Sequence, residues 1–231
     1  MTKPKRPFAR LGKYIVEIVI IIIGISLSFA LSDFEKKQAS KADYQSYLKK
    51  LQRDIHIDSL QMVNDIGVYG SKINAVDLIF KFHPGFSQDS ISMLGQAQNN
   101  LLNFVEFLPN DNTFQILSST GDFKVFTNDS LVSELFQLYR FNYSFINMLG
   151  REANEERLSY VKPYLVDAIF FEDEITFPKV RTNIPAVIQD RKFRNICLQY
   201  KQSSYGAINA YRSALNRLAR INQIITSEIE E

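Results

Sequence analysis

Residues 14–32 read YIVEIVIIIIGISLSFALS, and this apolar run decides how the rest of the chain is interpreted. As an α-helix, it would extend ~28 Å at ~1.5 Å per residue, which matches the ~30 Å hydrocarbon core of a bilayer. Glu17 is the only charged side chain in it. The run therefore predicts one transmembrane helix.

The charges around this run predict its orientation. The preceding tail, residues 1–13, has no acidic residue and carries five basic ones: Lys3, Lys5, Arg6, Arg10 and Lys13. Asp33 and Glu35 follow the run at once. Because the basic flank of a transmembrane helix stays in the cytoplasm, we expect a cytoplasmic tail over 1–13, a transmembrane helix over 14–32 and a periplasmic domain over 33–231. The expected location is the inner (cytoplasmic) membrane.

A cleaved signal peptide is the alternative, since it has the same charge layout. Ser28-Phe29-Ala30 is an acceptable cleavage motif. The apolar run is long for a signal peptide, however, and Glu17 interrupts it near its start. The sequence favours an uncleaved anchor.

Glu17 has two interpretations, because a carboxylate within the apolar region is costly unless it is paired or near the interface. Lys13 lies one helical turn earlier and could form an interfacial pair with Glu17. Alternatively, Glu17, Ile21, Gly24 and Ser28 share a small, polar helix face. Small residues four apart let another helix approach closely. This face predicts packing against another membrane protein's helix or against a copy of itself.

The remaining chain has the period of long helices, with apolar residues three and four apart. The first stripe comprises Leu48, Leu51, Ile55, Met62, Ile66, Tyr69, Ile73, Val76 and Phe80. The last helix, capped by Asp190, has the stripe Phe193, Cys197, Tyr200, Ser204, Ile208, Tyr211, Leu215, Leu218, Asn222, Ile225 and Ile229. We predict an all-α fold in which the transmembrane helix continues into an antiparallel bundle of long helices.

Shorter elements lie between these two helices. His83-Pro84-Gly85 should end the first helix, and a second, capped by Ser87 or Asp89, should carry apolar residues as far as Val105 and Leu108. A turn at 109–112 precedes a short helix with Phe114 and Leu117 inward, closed by Gly121. Residues 123–126 should be extended or irregular. Asn128 or Asp129 should cap a helix with the stripe Leu131, Leu135, Leu138, Phe141, Phe145 and Met148, then a kink or break at Pro163 and an irregular segment over 171–189.

The sequence offers no catalytic constellation, cofactor motif or metal site. His56 and His83 are too few and too separated for a typical zinc site. Ser118 to Gly121 lacks the lysine of a phosphate loop, so a helix cap is the preferred interpretation. The acidic residues near 172–174, with Asp167, lack calcium-loop spacing. Cys197 falls on an apolar stripe and reads as a core residue rather than a catalytic thiol.

Nucleic acid is not an expected partner. Five of the 27 basic residues lie in the tail, so residues 14–231 carry 22 basic and 25 acidic side chains. No basic surface remains to neutralise phosphates.

Two regions resemble a family of uncharacterised single-pass membrane proteins of Bacteroidota. One is the anchor, from Tyr14-Ile15-Val16-Glu17-Ile18 to Gly24-Ile25. The other is the Leu-x-Ser-Ser-Gly-like element Leu117-Ser118-Ser119-Thr120-Gly121, which is followed by Asn128, Leu131, Leu135 and Tyr139. Thr120 is inserted relative to the family pattern, and Ser32-Asp33-Phe34 replaces its usual Asn-Asn-Trp. The resemblance implies a single-pass topology and no particular activity.

These patterns favour a non-enzymatic, membrane-anchored subunit or scaffold that packs against partner proteins. The alternative is a periplasmic ligand-sensing domain that signals through a partner, because 13 cytoplasmic residues are too few for an output module. If the last helical stripe is core, Leu215→Ala should destabilise the bundle by roughly 2–5 kcal/mol.

Overall fold

The computed structural model describes residues 8–81, 97, 99–168 and 189–230, with side chains from residue 17 onward. These residues form helices and connecting segments and contain no strand, so the fold is all-α. The α-helices with both ends described are α1 (Phe8–Lys81), α2 (Asn112–Thr120), α3 (Asp129–Phe136), α4 (Tyr143–Glu156), α5 (Lys162–Ala168) and α6 (Arg191–Glu230). Residues 97 and 99–102 are also helical. Gln137–Asn142 and Arg157–Val161 are π-helical and join α3, α4 and α5 into one middle helix, residues 129–168.

The contacts divide the chain into two units, Met1–Leu48 and Lys49–Glu231. In the first unit, the described residues belong to α1, and the large apolar side chains between Ile18 and Leu31 are 46–69% exposed. By length and composition, α1 is the one helix in the described part of the chain that is apolar enough to cross a membrane, with a mean hydropathy of 2.0 over its best window. A signal sequence shares these properties.

The second unit is a helical bundle whose pairing is defined by side-chain contacts. On α1, Gln52, Asp65 and Asp77 contact progressively earlier residues of α6, namely Asn222, Tyr211 and Lys201. Along the middle helix, Asn128, Glu134 and Glu156 contact Glu228, Arg217 and Ser203 of α6. In both series one number rises as the other falls, so α6 runs antiparallel to α1 and to the middle helix.

The predicted stripes of α1 and α6 form most of the core. On α1, Leu48, Leu51, Ile55, Met62, Tyr69, Ile73 and Val76 are buried. On α6, Leu215 is half-buried and Asn222 is exposed, whereas Ala214 and Ile221 are fully buried. The buried face therefore follows the smaller Ala214, and Leu215→Ala would remove less buried surface than the sequence suggested.

The stripe predicted for the middle helix is correct only in its first half. Leu131, Leu135 and Leu138 are fully buried, but Phe141, Phe145 and Met148 are 63%, 50% and 37% exposed. The cause is the first π-helical segment, in which the Tyr143 N–H bonds the Leu138 carbonyl five residues back. Each π-turn holds about one extra residue. The buried face consequently shifts by one position to Tyr139, Tyr143 and Ile146.

Pro163 does not break the middle helix, because α5 continues through it. The second π-helical segment lies immediately before, where the Lys162 N–H bonds the Arg157 carbonyl. In a regular α-helix, the proline ring would clash with the carbonyl four residues earlier. The wider π-turn is a physical reason why the helix can pass this residue.

The other predicted boundaries have mixed outcomes. Residues 103–110 are not helical, so the second helix does not extend to Leu108, which is 66% exposed. An extended or irregular segment was predicted for 123–126; residues 122–125 form a 3-10 turn, and Phe126 is extended. The caps are confirmed: Gly121 has φ 73°, and the Asn128 side chain accepts from the Leu131 N–H at 3.1 Å. Residues 83–89 and 171–188 lie outside the described residues.

Candidate functional site

A line of buried polar residues runs along the core face of α1. The positions on this face are spaced alternately by four and three residues, which keeps them on one side of the helix. They are Leu51, Ile55, 58, Met62, 65, Tyr69, 72 and Val76. From position 58 onward, every second position of this series is polar: Asp58, Asp65 and Lys72 are 0%, 6% and 2% exposed. We call these three residues and their hydrogen-bonding or ring partners the polar seam.

Asp58 joins α1 to two other parts of the bundle. Its Oδ1 accepts from the Asn110 backbone N–H at 2.8 Å and from the Asn110 Nδ2 at 3.1 Å. Its Oδ2 accepts from the Tyr143 hydroxyl at 2.5 Å. Burial raises the pKa of Asp58 above its usual value, although these hydrogen bonds oppose the rise. One turn earlier, Asp54 accepts from the Thr113 hydroxyl. Asp58 therefore binds the segment before α2 to α1, and Asp54 binds the first turn of α2 to α1.

Asp65 makes the corresponding connection to α6. Its Oδ2 accepts from the Tyr211 hydroxyl at 3.1 Å, and burial raises the pKa of Asp65. The Tyr211 ring packs 6.0 Å from both Tyr69 and Phe107. Burial also raises the pKa of the Tyr211 hydroxyl, so this phenol stays protonated and donates to the carboxylate.

Lys72 is a buried cation between two aromatic rings. Its Nζ lies 4.8 Å from the Tyr69 ring centroid and 5.1 Å from that of Tyr200. Such cation–π contacts replace part of the hydration that an ammonium loses on burial. Burial lowers the pKa of Lys72 to about 8, and the Arg157 charge contributes to the lowering.

A cavity of about 620 Å³ lies between the second π-helical segment and the start of α6. Its walls combine apolar and aromatic side chains from both helices with several charged groups, and they include Tyr160, Val161, Ile196 and Tyr200. The Tyr200 hydroxyl is buried and has no hydrogen-bond partner among the residues that the structure describes. Volumes of this size are typical of small-molecule sites.

The residues proposed as a membrane packing face lie on one described stretch of α1, and all four are exposed: Glu17, Ile21, Gly24 and Ser28. The Ser28 hydroxyl donates to the Gly24 carbonyl at 2.9 Å, so it is satisfied within the helix. A Cβ added at Gly24 would meet nothing within 4 Å. The Lys13 side chain lies outside the described ones, and the Lys13–Glu17 pair stays a prediction.

The other residues considered for chemistry have structural positions. Cys197 is 1% exposed in the core, and burial raises the pKa of its thiol to about 12. Ser119 and Thr120 donate to the Ile116 carbonyl at the end of α2, so this element is a helix C-terminus. Within the described ranges, no group of three His, Cys, Asp or Glu side chains is arranged to hold a metal ion.

Sequence reasoning missed the polar seam because it searched for apolar periodicity. The signal was present at Asp58 as a gap in the stripe, since the apolar positions step by seven from Ile55 to Met62. At Asp65 and Lys72 the neighbouring Ile66 and Ile73 continued the apolar period, so the stripe showed no gap there. A polar residue that fills such a gap is expected on the buried face. Its partner, 85 residues away for Asp58 and 146 for Asp65, has no local signature.

Comparison with known proteins returned no matching family model, no matching curated protein and no matching solved structure.

Proposed function

We propose that this chain is a membrane-anchored, non-enzymatic subunit or scaffold, with residues 1–13 in the cytoplasm, residues 14–32 in the inner membrane and a periplasmic helical bundle. The observation that carries the proposal is the exposed apolar part of α1, whose large side chains are 46–69% exposed between Ile18 and Leu31. Exposing so many Ile, Leu and Phe side chains to water is unfavourable by several kcal/mol, and a bilayer removes that cost. The basic tail supports the orientation.

A second exposed apolar surface supports a partner-binding role for the bundle. Phe141, Phe145 and Met148 follow one another at steps of four and three on the middle helix and are exposed. Isolated surface apolar residues are ordinary, but a contiguous stripe with two phenylalanines is typical of an interaction surface. The likeness to single-pass membrane proteins of Bacteroidota agrees with this proposal, as an inference from residues 14–25 and 117–139.

Membrane extraction tests the anchor. The full chain should stay in the membrane fraction after alkaline carbonate treatment, and mass spectrometry should find residues 1–32 attached. A soluble product that begins near Leu31 would show that the segment is a cleaved signal peptide and would overturn the anchor.

Variants of the exposed stripe test the subunit role. The double change Phe141→Ser and Phe145→Ser should reduce recovery of a stoichiometric partner from membranes solubilised in mild detergent. The melting temperature should hardly change, since both side chains are exposed. Glu155→Ser, another exposed position on the middle helix, is the matched control. If all variants and the parent recover the same proteins, or none, the bundle does not dock through this stripe.

Ligand sensing is a second candidate function, favoured by one observation. The 620 Å³ cavity combines apolar walls with oriented polar groups, which is the composition of a small-molecule site. The cavity lies on a different surface from the exposed stripe of Phe141, Phe145 and Met148, so ligand sensing and partner binding can be tested separately.

A further inference from the structure

The cavity beside α6 is elongated along that helix. The α6 residues that line it lie one turn apart on a single face, from Arg191 and Lys192 through Asn195 and Ile196 to Gln199 and Tyr200. Nine residues of α-helix rise ~13 Å. The space is therefore a groove about two and a half turns long, with Val161 and Tyr160 on the opposite side.

The two ends of this groove differ in charge. At one end, Arg191 and Lys192 occupy the first turn of α6 and carry two positive charges. Asp190 at the same end accepts from the Lys192 N–H at 2.7 Å and from the Tyr164 hydroxyl at 2.7 Å, and its negative charge offsets one of the two cations. The net charge of Asp190, Arg191 and Lys192 is therefore positive.

Glu156 provides the opposite charge at the other end. Its carboxylate is held in place by Gln199 and Ser203, which donate to separate oxygens at 2.9 Å each. A carboxylate has about four acceptor positions, and the described residues occupy two of those of Glu156, which leaves two for a ligand. Tyr160, whose side chain is 55% exposed, and Tyr200 place aromatic rings in the same groove. A carboxylate beside aromatic rings is suited to an ammonium group.

The distance between the ends selects the size of the occupant. Lys192 and Gln199 are seven residues apart, which is ~10 Å along α6. An extended peptide covers ~3.3–3.6 Å per residue, so three residues span this distance. Apolar side chains of such a peptide would contact Ile196 and Val161. We propose that the groove binds a short peptide with free termini, about three residues long, whose ammonium group bonds Glu156 and whose carboxylate faces Arg191 and Lys192.

Calorimetric titration of the full chain in lipid nanodiscs with trileucine tests this assignment. Trileucine should bind saturably, and acetylation of its amino group or amidation of its carboxyl group should each weaken binding at least tenfold. Ile196→Trp should abolish binding, because the larger side chain fills the groove. Binding of an uncharged alkyl glucoside as tightly as trileucine, or no binding of trileucine at all, would overturn the proposal.

Glu156→Gln distinguishes recognition of the ammonium group from a general loss of structure. This variant should bind free and acetylated trileucine with equal, weak affinity, while Glu152→Gln, exposed one turn earlier, should bind like the parent. Equal losses for both peptides relative to the parent would mean that Glu156 does not contact the amino group. If the Glu156 variant does not fold, the three trileucine forms on the parent chain still decide the question. Failure of peptide binding would leave the anchor and the exposed stripe unaffected.

Discussion

Tyr143 and Tyr200 are both 2% exposed but differ in what their hydroxyls contact. The Tyr143 hydroxyl donates to Asp58, whereas that of Tyr200 has no partner in the described part of the chain. Tyr143→Phe should lower the free energy of unfolding by about 1–3 kcal/mol, because it leaves a buried carboxylate oxygen without a donor. Tyr200→Phe should leave it unchanged or raise it slightly. Chemical denaturation followed by circular dichroism measures both, and equal effects would contradict the importance of the Asp58 bond.

Lys72 predicts a pH dependence of stability. Its pKa is about 8 in the folded protein, below the ordinary value of about 10.5, so the unfolded chain binds this proton more tightly. Stability should therefore rise as the pH increases from about 8 to about 10, by up to about 3 kcal/mol for this group. Cys197 acts in the opposite direction above pH 9, because its pKa is raised to about 12. Comparison with the variant Lys72→Met separates the contribution of Lys72 from those of the other titrating groups.

The measurement is the free energy of unfolding of the parent minus that of the methionine variant, taken at several pH values. This difference should increase between pH 8 and pH 10 and be flat near pH 6. A flat difference throughout would mean that the Lys72 ammonium is as well solvated in the folded protein as in the unfolded one.

Gly24 tests the packing face of the apolar segment. Gly24→Ile adds bulk on a small, polar face while keeping the segment hydrophobic, so insertion should survive and close helix approach should be lost. Ile22→Leu, on another face, is the control. Glu17→Leu should have a smaller effect than the glycine change, since hydrogen bonds between membrane helices contribute about 0.6–2 kcal/mol. If crosslinking in membranes is the same for Gly24→Ile and Ile22→Leu, the helix serves as an anchor without a packing role.

At the scale of the element, the first π-helical segment behaves as a one-residue insertion. Deletion of Arg140, an exposed residue within it, should restore a regular α-helix and bring the downstream buried residues to steps of three and four. The fold should be kept, with a loss near 0.5–1 kcal/mol for the contact between Arg140 and the Phe136 ring.

Deletion of Glu152, which is exposed in the regular part of α4, is the control. It should rotate the residues between position 152 and the second π-helical segment, including the buried Ala153, by ~100° and destabilise the bundle. Comparable melting temperatures for the two deletions would show that the π-helical segment is not the source of the register shift.

These elements also show how far the sequence predicts the fold. Apolar steps of three and four located α1 and α6 because both helices are regular over many turns. The same period placed Phe141, Phe145 and Met148 inward, which is wrong, because local propensity does not reveal a π-turn. The buried hydrogen bond from Tyr143 to Asp58 was not predicted, since it depends on that shifted register. The groove was missed because it forms between helices that are distant in sequence.

At the scale of the whole molecule, the basic tail predicts the orientation. Fusions of a reporter that is active only in the periplasm should be active at Ser40 and at the C-terminus. The physical reason is that five basic residues precede the apolar segment and none lies within it, and a basic flank stays in the cytoplasm. Replacing the tail lysines and arginines with glutamine should lower this activity. Silence at both fusion points in the parent would reverse the proposed topology.

The reactivity of Cys197 towards a thiol reagent can report how often the bundle opens locally. It is the single cysteine of the chain, and it packs in a cluster to which α1, the middle helix and α6 all contribute, with Val76, Val161 and Phe193 among its members. A thiol reagent can reach it only in molecules where this end of the bundle has opened. When reclosing is fast, the labelling rate divided by that of a free thiol equals the opening equilibrium constant, so one unmodified chain reports local unfolding at a known residue.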